Sequence, residues 1–209
     1  MKLVSLVSSG IDSPVATYLL SSYADEVILL HADTTPFIEE KEKKVFLSLS
    51  KQLRKTLGYP IDVHIVPHGE ALKVFKENCD KHYTCVFCKR MLLRYAEAIA
   101  SLNGCSAIVM GDSLGQVASQ TLYNLRVIDE ATNLPVLRPL IGLDKEEIIR
   151  VAKDIGTYNY STIPIGDCKA VPDKPVTKAS IDAILREEEK IDIDSLVKKA
   201  LKEAELINL

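Results

Sequence analysis

Ser8-Ser9-Gly10-Ile11-Asp12-Ser13 follows the apolar run Leu3 to Val7 and precedes Pro14-Val15-Ala16-Thr17-Tyr18-Leu19-Leu20. The order is a strand, a loop of small residues, and a helix with proline in its first turn. Such a loop leaves backbone N–H groups free to bind an anion. Its small side chains let it wrap a phosphate, and the helix dipole adds positive potential at the same place. Ser8 and Ser13 add hydroxyl donors. The loop is shorter than the GxxxxGK[ST] phosphate loop and lacks its lysine, so a different phosphate chemistry is implied. The plainer reading is a strand-to-helix turn with capping serines. Asp12 weighs against it, because a carboxylate beside a phosphate site is useful mainly when it holds Mg²⁺ or orients a polar group.

Outward from this loop, short apolar runs recur at Val27 to His31, Val63 to Val66, Ala107 to Met110 and Pro135 to Leu137. With Leu3 to Val7 they read as five buried strands. Helical patterns lie between and after them at 14–23, 39–57, 69–78, 86–102, 115–129 and 144–155. That alternation predicts an α/β fold, a doubly wound five-stranded parallel sheet, which binds ligands at the carboxyl ends of its strands. Gly111-Asp112-Ser113-Leu114-Gly115-Gln116 follows the fourth strand and so faces the same cleft as the Ser8 loop. Pro164, Pro172 and Pro175 mark an irregular stretch, and Ala179 to Leu209 reads as two short charged helices. The expected organisation is a domain over 1–178 and a charged helical tail over 179–209.

The chain has 209 residues, 47% of them hydrophobic, enough for one packed domain with a small appendage. No apolar run reaches the length of a membrane span and the amino terminus does not read as a signal peptide, so a soluble, cytoplasmic protein is expected. The net charge of −3 argues against a protein that simply coats nucleic acid. That excess sits in residues 180–209, with eight acidic side chains against five basic, and the remainder is neutral. Lys41, Lys43, Lys44, Lys51, Arg54 and Lys55 share one predicted helix with Glu39, Glu40 and Glu42, which reads first as a solvated face.

Five cysteines make an odd number, pointing to metal or redox chemistry rather than a disulfide framework. Cys85-Val86-Phe87-Cys88 precedes Lys89-Arg90 at a predicted helix start, where N–H groups and two cations favour thiolates. A structural zinc site wants four ligands, and this pair offers two. Cys168 is a third sulfur, and three cysteines suit an iron–sulfur cluster with one open iron, able to bind hydrosulfide. A persulfide and disulfide relay, or zinc, are the other readings. Cys79 and Cys105 look structural.

The Ser8 loop resembles the SGGxDS loop of the PP-loop ATP pyrophosphatases, with Ser9 in place of the middle glycine. Gly111 to Leu122, Arg138-Pro139-Leu140-Ile141-Gly142-Leu143-Asp144-Lys145-Glu146-Glu147-Ile148-Ile149 and Ile155-Gly156-Thr157-Tyr158 resemble the tRNA 4-thiouridine synthetase family, sulfurtransferases also tied to thiamine biosynthesis. Asp144 and Glu147 form a capping box by spacing, which leaves Lys145 at the first turn, where a phosphate would relieve its charge. The resemblance makes Lys145 essential. It places nucleotide contacts on Leu6, Val7, Ser8, Ser9, Gly10, Ile11, Asp12 and Ser13, on His31 and Ala32, on Lys89 or Arg90, and on Gly111 and Gln120. It implies that a uridine oxygen of tRNA attacks the α-phosphate of ATP, releasing pyrophosphate, before sulfur displaces AMP.

Asp12 would then act with Mg²⁺, Lys145 would neutralise phosphate, and Cys168 would handle sulfur from sulfide or a persulfide donor protein. Cys85, Cys88 and Cys168 would hold the cluster, as in the archaeal-type members. Full-length members carry THUMP and, in some cases, rhodanese domains that are absent from this sequence. RNA would therefore reach it through a separate RNA-binding subunit or the lysine-rich helix, unless the substrate is something other than tRNA, and the tail could support a homodimer. Two rivals stand beside this reading: a PP-loop ligase that adenylates a small carboxylate or amide, and a non-catalytic nucleotide or iron–sulfur carrier.

Overall fold

The structure, a computed structural model, describes residues 1–209. Six strands form one sheet: β1 (Lys2–Leu6), β2 (Glu26–Asp33), β3 (Asp62–Pro67), β4 (Ala107–Val109), β5 (Val136–Leu137) and β6 (Glu205–Asn208). Their order is β5-β4-β1-β2-β3-β6. The first five pair in parallel, and β6 runs antiparallel to β3, with Ile65 opposite Glu205 and Asp62 opposite Asn208.

Side chains alternate along each strand, so Val4, Leu6, Ile28, Leu30 and Val66 enter one core while Leu3, Val27, Leu29, Val63 and Ile65 enter the other. Helices α1 (Asp12–Ser21), α2 (Lys41–Leu57) and α6 (Lys145–Asp154) cover the second face. Helices α3 (Gly69–Asn78), α4 (Thr84–Asn103) and α5 (Leu122–Asp129) cover the first. A one-turn helix α7 (Tyr158–Ser161) follows α6. Helix α2 shows how the sequence sets its own depth: Val45, Phe46, Leu49 and Leu53 form one stripe, buried at 5% exposure or less. Each such side chain contributes roughly 1.5–3 kcal/mol of transfer free energy. The chain leaves β1 toward β2 on one side and returns to place β4 on the other, so the sheet reverses direction between β1 and β4.

Two expectations change. The sheet has a sixth strand, because the tail is more than helical. Its helices α8 (Ile181–Glu188) and α9 (Ile193–Lys202) bury Ile184 and Ala200 in the α4 core, and β6 then closes the β3 edge. The helix expected over 115–129 is half its length. Gly115 takes φ 73°, a 3₁₀ turn occupies Ala118–Gln120, and Thr121 caps the helix by accepting from the Asn124 N–H.

Candidate active site

The Ser8 loop closes on itself. The Ser8 N–H donates to Ser13 Oγ at 2.9 Å and the Gly10 N–H donates to Ser8 Oγ at 3.2 Å. No residue of the loop has positive φ, so Ser9 sits without backbone strain where the family pattern has glycine. Gly111, after β4, packs against the start of α1 so closely that a Cβ would lie 2.7 Å from Ser13 N. The absence of a side chain there is what lets the two loops share one cleft.

That cleft, about 410 Å³, lies at the carboxyl ends of β1, β2 and β4, where the sheet order reverses. The whole run Leu6 to Ser13, with His31, Ala32, Lys89, Gly111 and Gln120, lines it. Arg90 does not. Its guanidinium, 1% exposed, is directed away from the cleft and donates to both carboxylate oxygens of Glu188 at 2.8 and 2.9 Å. Successive helix positions turn by about 100°, so Lys89 and Arg90 cannot serve the same face.

Lys89 instead donates to Asp112 Oδ1 on the cleft wall, and Arg138 Nε donates to Asp112 Oδ2 at 3.0 Å. Burial opposes the charge on Asp112, but Lys89 and Arg138 outweigh it and hold the carboxyl below its ordinary range. Gln120 donates to the same carboxylate at 3.4 Å, while its own carbonyl oxygen is buried without a partner. Lys145, at the first turn of α6 and outside the lining of the cleft, reaches it through Asp12, to whose Oδ1 it donates at 2.5 Å. The Asp144–Glu147 capping box is fully formed. At the cleft floor Glu42 accepts from His31 Nε2 at 2.9 Å and from the Ser9 N–H at 3.4 Å, and His31 Nδ1 lies 3.0 Å from the Val7 carbonyl. Burial again opposes the carboxylate, and the bonds from His31 and Ser9 hold the Glu42 carboxyl below its usual range.

Cys88 is the cysteine that lines the cleft. Burial pushes its thiol up to about 12, with charge on Cys85 and Cys168 adding to the shift, so the three sulfurs occupy one neighbourhood. The same causes, burial first and then Cys168, raise the Cys85 thiol. No group of three or more His, Cys, Asp or Glu side chains is arranged to hold a metal ion, so the predicted ligand set of Cys85, Cys88 and Cys168 converges without forming a ligand sphere. Behind Cys88, His68 Nε2 lies 3.2 Å from Cys88 Sγ and His68 Nδ1 lies 3.3 Å from Tyr95 Oη.

The model of the thiamine biosynthesis protein (ThiI) family matches residues 1–193. This chain belongs to the ThiI family. A probable tRNA sulfurtransferase of Methanosarcina mazei is 41% identical over 209 residues, which is all of this chain and 52% of that protein. A probable tRNA sulfurtransferase of Thermus thermophilus is 40% identical over 208 residues, covering 99% of this chain and 51% of the relative. The chain thus spans about half the length of the curated relatives it matches. Among solved structures, a 4-thiouridine synthetase in complex with RNA and bound ATP superposes with a TM-score of 0.94 at 33% identity, over 100% of this chain and 55% of the other. An NMN synthetase from Francisella tularensis shares the fold at TM-score 0.58 and 14% identity.

Four site residues of this ThiI-family chain fall outside the sequence expectations: Glu42, Asp112, His68 and Tyr95. Glu42 was read with the lysines of its helix as a solvated face, yet it falls three and four residues before Val45 and Phe46 on the buried stripe. That periodicity was a usable signal. Asp112 stood inside the quoted Gly111 segment, but its two cations come from positions 23 residues before and 26 after. His68 and Tyr95 carried no motif at all. No helix is long and apolar enough to cross a membrane.

Proposed function

We propose that this chain uses ATP to adenylate a carbonyl oxygen of a uridine in tRNA and replaces that oxygen with sulfur, releasing AMP and pyrophosphate. The observation that carries the reading is a single cleft lined by the Ser8 to Ser13 anion loop, by Lys89 and by the thiol of Cys88. Phosphate-binding groups and a sulfur-handling group serve consecutive steps on one base only when they face one space.

The N–H groups that open α1 and the dipole of that helix would receive the pyrophosphate end of ATP, with the Ser9 and Gly10 amides exchanging Glu42 and Ser8 Oγ for phosphate oxygens. Lys145 would then exchange Asp12 for phosphate oxygens as charge builds on the leaving pyrophosphate. Asp12, a partly exposed oxygen donor at the cleft, fits Mg²⁺ as an outer ligand, and the ion when bound would neutralise phosphate charge. The unpartnered Gln120 carbonyl suits a donor such as the exocyclic amine of adenine. Once the uridine oxygen is bonded to phosphorus it leaves as AMP, and a sulfur nucleophile brought through the Cys85, Cys88 and Cys168 corner takes its place.

The test is incubation of the chain with ATP, tRNA lacking thiolated bases, and sulfide, with nucleotide and nucleoside products followed by mass spectrometry. AMP, pyrophosphate and thiouridine in equal amounts are expected. Release of ADP sinks the reading, and pyrophosphate release driven by a small carboxylate without tRNA assigns the chain to ligase chemistry instead.

A further inference from the structure

Between Glu42 and Asp62 the sequence has no acidic residue, yet it carries Lys43, Lys44, Lys51, Arg54 and Lys55. All of these cations lie on α2. Lys43 reaches the Glu205 carboxylate at 2.6 Å, whereas Lys44, Lys51, Arg54 and Lys55 are exposed and have no carboxylate within ion-pair distance. At about 100° per residue, Lys44, Lys51 and Lys55 fall within about 40° of one line along the helix, with Arg54 beside them. That line is opposite the buried stripe of Val45, Phe46, Leu49 and Leu53. Lys51 stands at i to Lys55 at i+4 and Arg54 at i+3, spacings at which like charges repel and weaken a helix. A face whose task is solvation interleaves both signs, and this one does not.

The face also lacks what other partners need. None of the large exposed apolar side chains of the molecule is on α2, so it offers no anchor for the core of a protein interface and no wedge for a lipid surface. With a net charge of −3 the whole chain does not attract a polyanion, so the attraction is local to this helix. A row of unpaired cations without apolar anchors matches a phosphate backbone, which is recognised by charge and spacing. Lys44 and Lys55 are about 16 Å apart along the axis, a length over which an RNA strand presents several phosphates. At the far end Arg54 and Lys55 line a hollow of about 210 Å³ together with Tyr59, whose hydroxyl is buried without a partner. At the near end the helix begins at the cleft: Ile38 and Glu42 line it, and Lys41 donates to the Pro164 carbonyl at 3.1 Å.

We propose that Lys44, Lys51, Arg54 and Lys55 form a track on α2 that binds the phosphate backbone of the RNA substrate and leads it to the cleft at the amino end of the helix. The inference rests on the tRNA reading given above. The track supplies position and affinity without sequence choice, and because its cations share one line the bound strand runs along α2.

The test compares two triple variants of the full chain that change net charge equally. One carries Lys44→Gln, Lys51→Gln and Lys55→Gln on the track; the other carries Lys73→Gln, Lys198→Gln and Lys202→Gln on α3 and α9, across the sheet. Every replaced side chain is exposed, and equal urea midpoints check that both variants fold. Binding of unmodified tRNA is followed by fluorescence anisotropy from about 50 to 200 mM salt. The track variant should bind about thirtyfold more weakly at about 100 mM salt, and its slope of log affinity against log salt should fall by about two to three, as three lost phosphate contacts require. The control variant should stay within about threefold with its slope unchanged, and arginine at the three track lysines should keep affinity within about threefold because the charge is retained. Equal weakening in both glutamine variants, or an unchanged slope in the track variant, overturns the proposal. So does wild-type chain with no measurable affinity for tRNA, and so does tighter binding of polyglutamate than of tRNA, which assigns the face to an acidic protein. If the binding results hold and wild-type chain forms no thiouridine, the thiolation reading fails and the track stands.

Discussion

Two buried carboxylates in this molecule are each gripped by two cations, and their surroundings give them opposite uses. Glu188, on the tail helix α8, accepts from Arg90 and Arg94 through four bonds of 2.7 to 2.9 Å, with Arg90 sealed from solvent. Asp112 accepts from Lys89 and Arg138, but it stands on the cleft wall and Lys89 keeps 17% exposure. The first node has nothing else to bind and acts as a rivet between the tail and α4. The second faces the cleft with Lys89 open to water, so on the function proposed above it can hand a cation to an incoming phosphate. Charge pairing alone therefore does not tell a structural node from a working one; access does.

Glu188→Ala breaks the comparison most severely. Leaving two guanidinium groups without their partner should cost about 3–5 kcal/mol in urea unfolding, with pyrophosphate release per folded molecule unchanged within about twofold. Lys89→Met should do the reverse. We expect a loss of about hundredfold in tRNA-dependent pyrophosphate release, near 2.7 kcal/mol of barrier, while the urea midpoint shifts little because Arg138 still neutralises Asp112. If K89M unfolds the protein as readily as E188A, the distinction between rivet and working node is wrong.

Acid titration supplies a smaller effect. For Glu188, burial opposes the charge and Arg90 and Arg94 outweigh it, so the folded carboxyl titrates below its usual value. A depressed folded value means the stabilisation is present above the ordinary glutamate pKa and is lost as pH falls through the folded one. Unfolding free energy should thus decline below about pH 4.3 at up to about 1.4 kcal/mol per pH unit for this one group, and E188Q should flatten that limb by the same amount. Least affected should be Asp144→Ala, which removes an exposed cap from α6. A loss of about 1 kcal/mol in stability is expected, with pyrophosphate release reduced less than about threefold because Lys145 is retained.

The same contrast shows what the sequence could reveal. The five parallel strands were legible because strands buried on both faces read as unbroken apolar runs, and the Ser8 loop because strand, small residues and helix stood contiguous. Strand β6 was not, since Glu205 to Asn208 pairs on one side only and carries an exposed acid that reads as tail. Lys89 and Arg90 could not be told apart, since what separates them is Glu188, 98 residues away for Arg90. Glu42 differs: its place on the buried stripe of α2 is legible in the periodicity, and only its partner His31, on another element, is not. Local chemistry was visible, and the pairings that assign it to core or cleft were set by topology.

The antiparallel strand at the sheet edge has a consequence for the order in which the molecule can be built. Ile61 and Leu209 exchange backbone hydrogen bonds in both directions, at 3.1 and 3.0 Å, so β3 is covered by residues synthesised long after it. At about 5–20 residues per second, synthesis leaves the open edge of β3 waiting on the order of ten seconds for its partner. During that interval the nascent chain carries an unpaired strand able to recruit a neighbour on the same polysome.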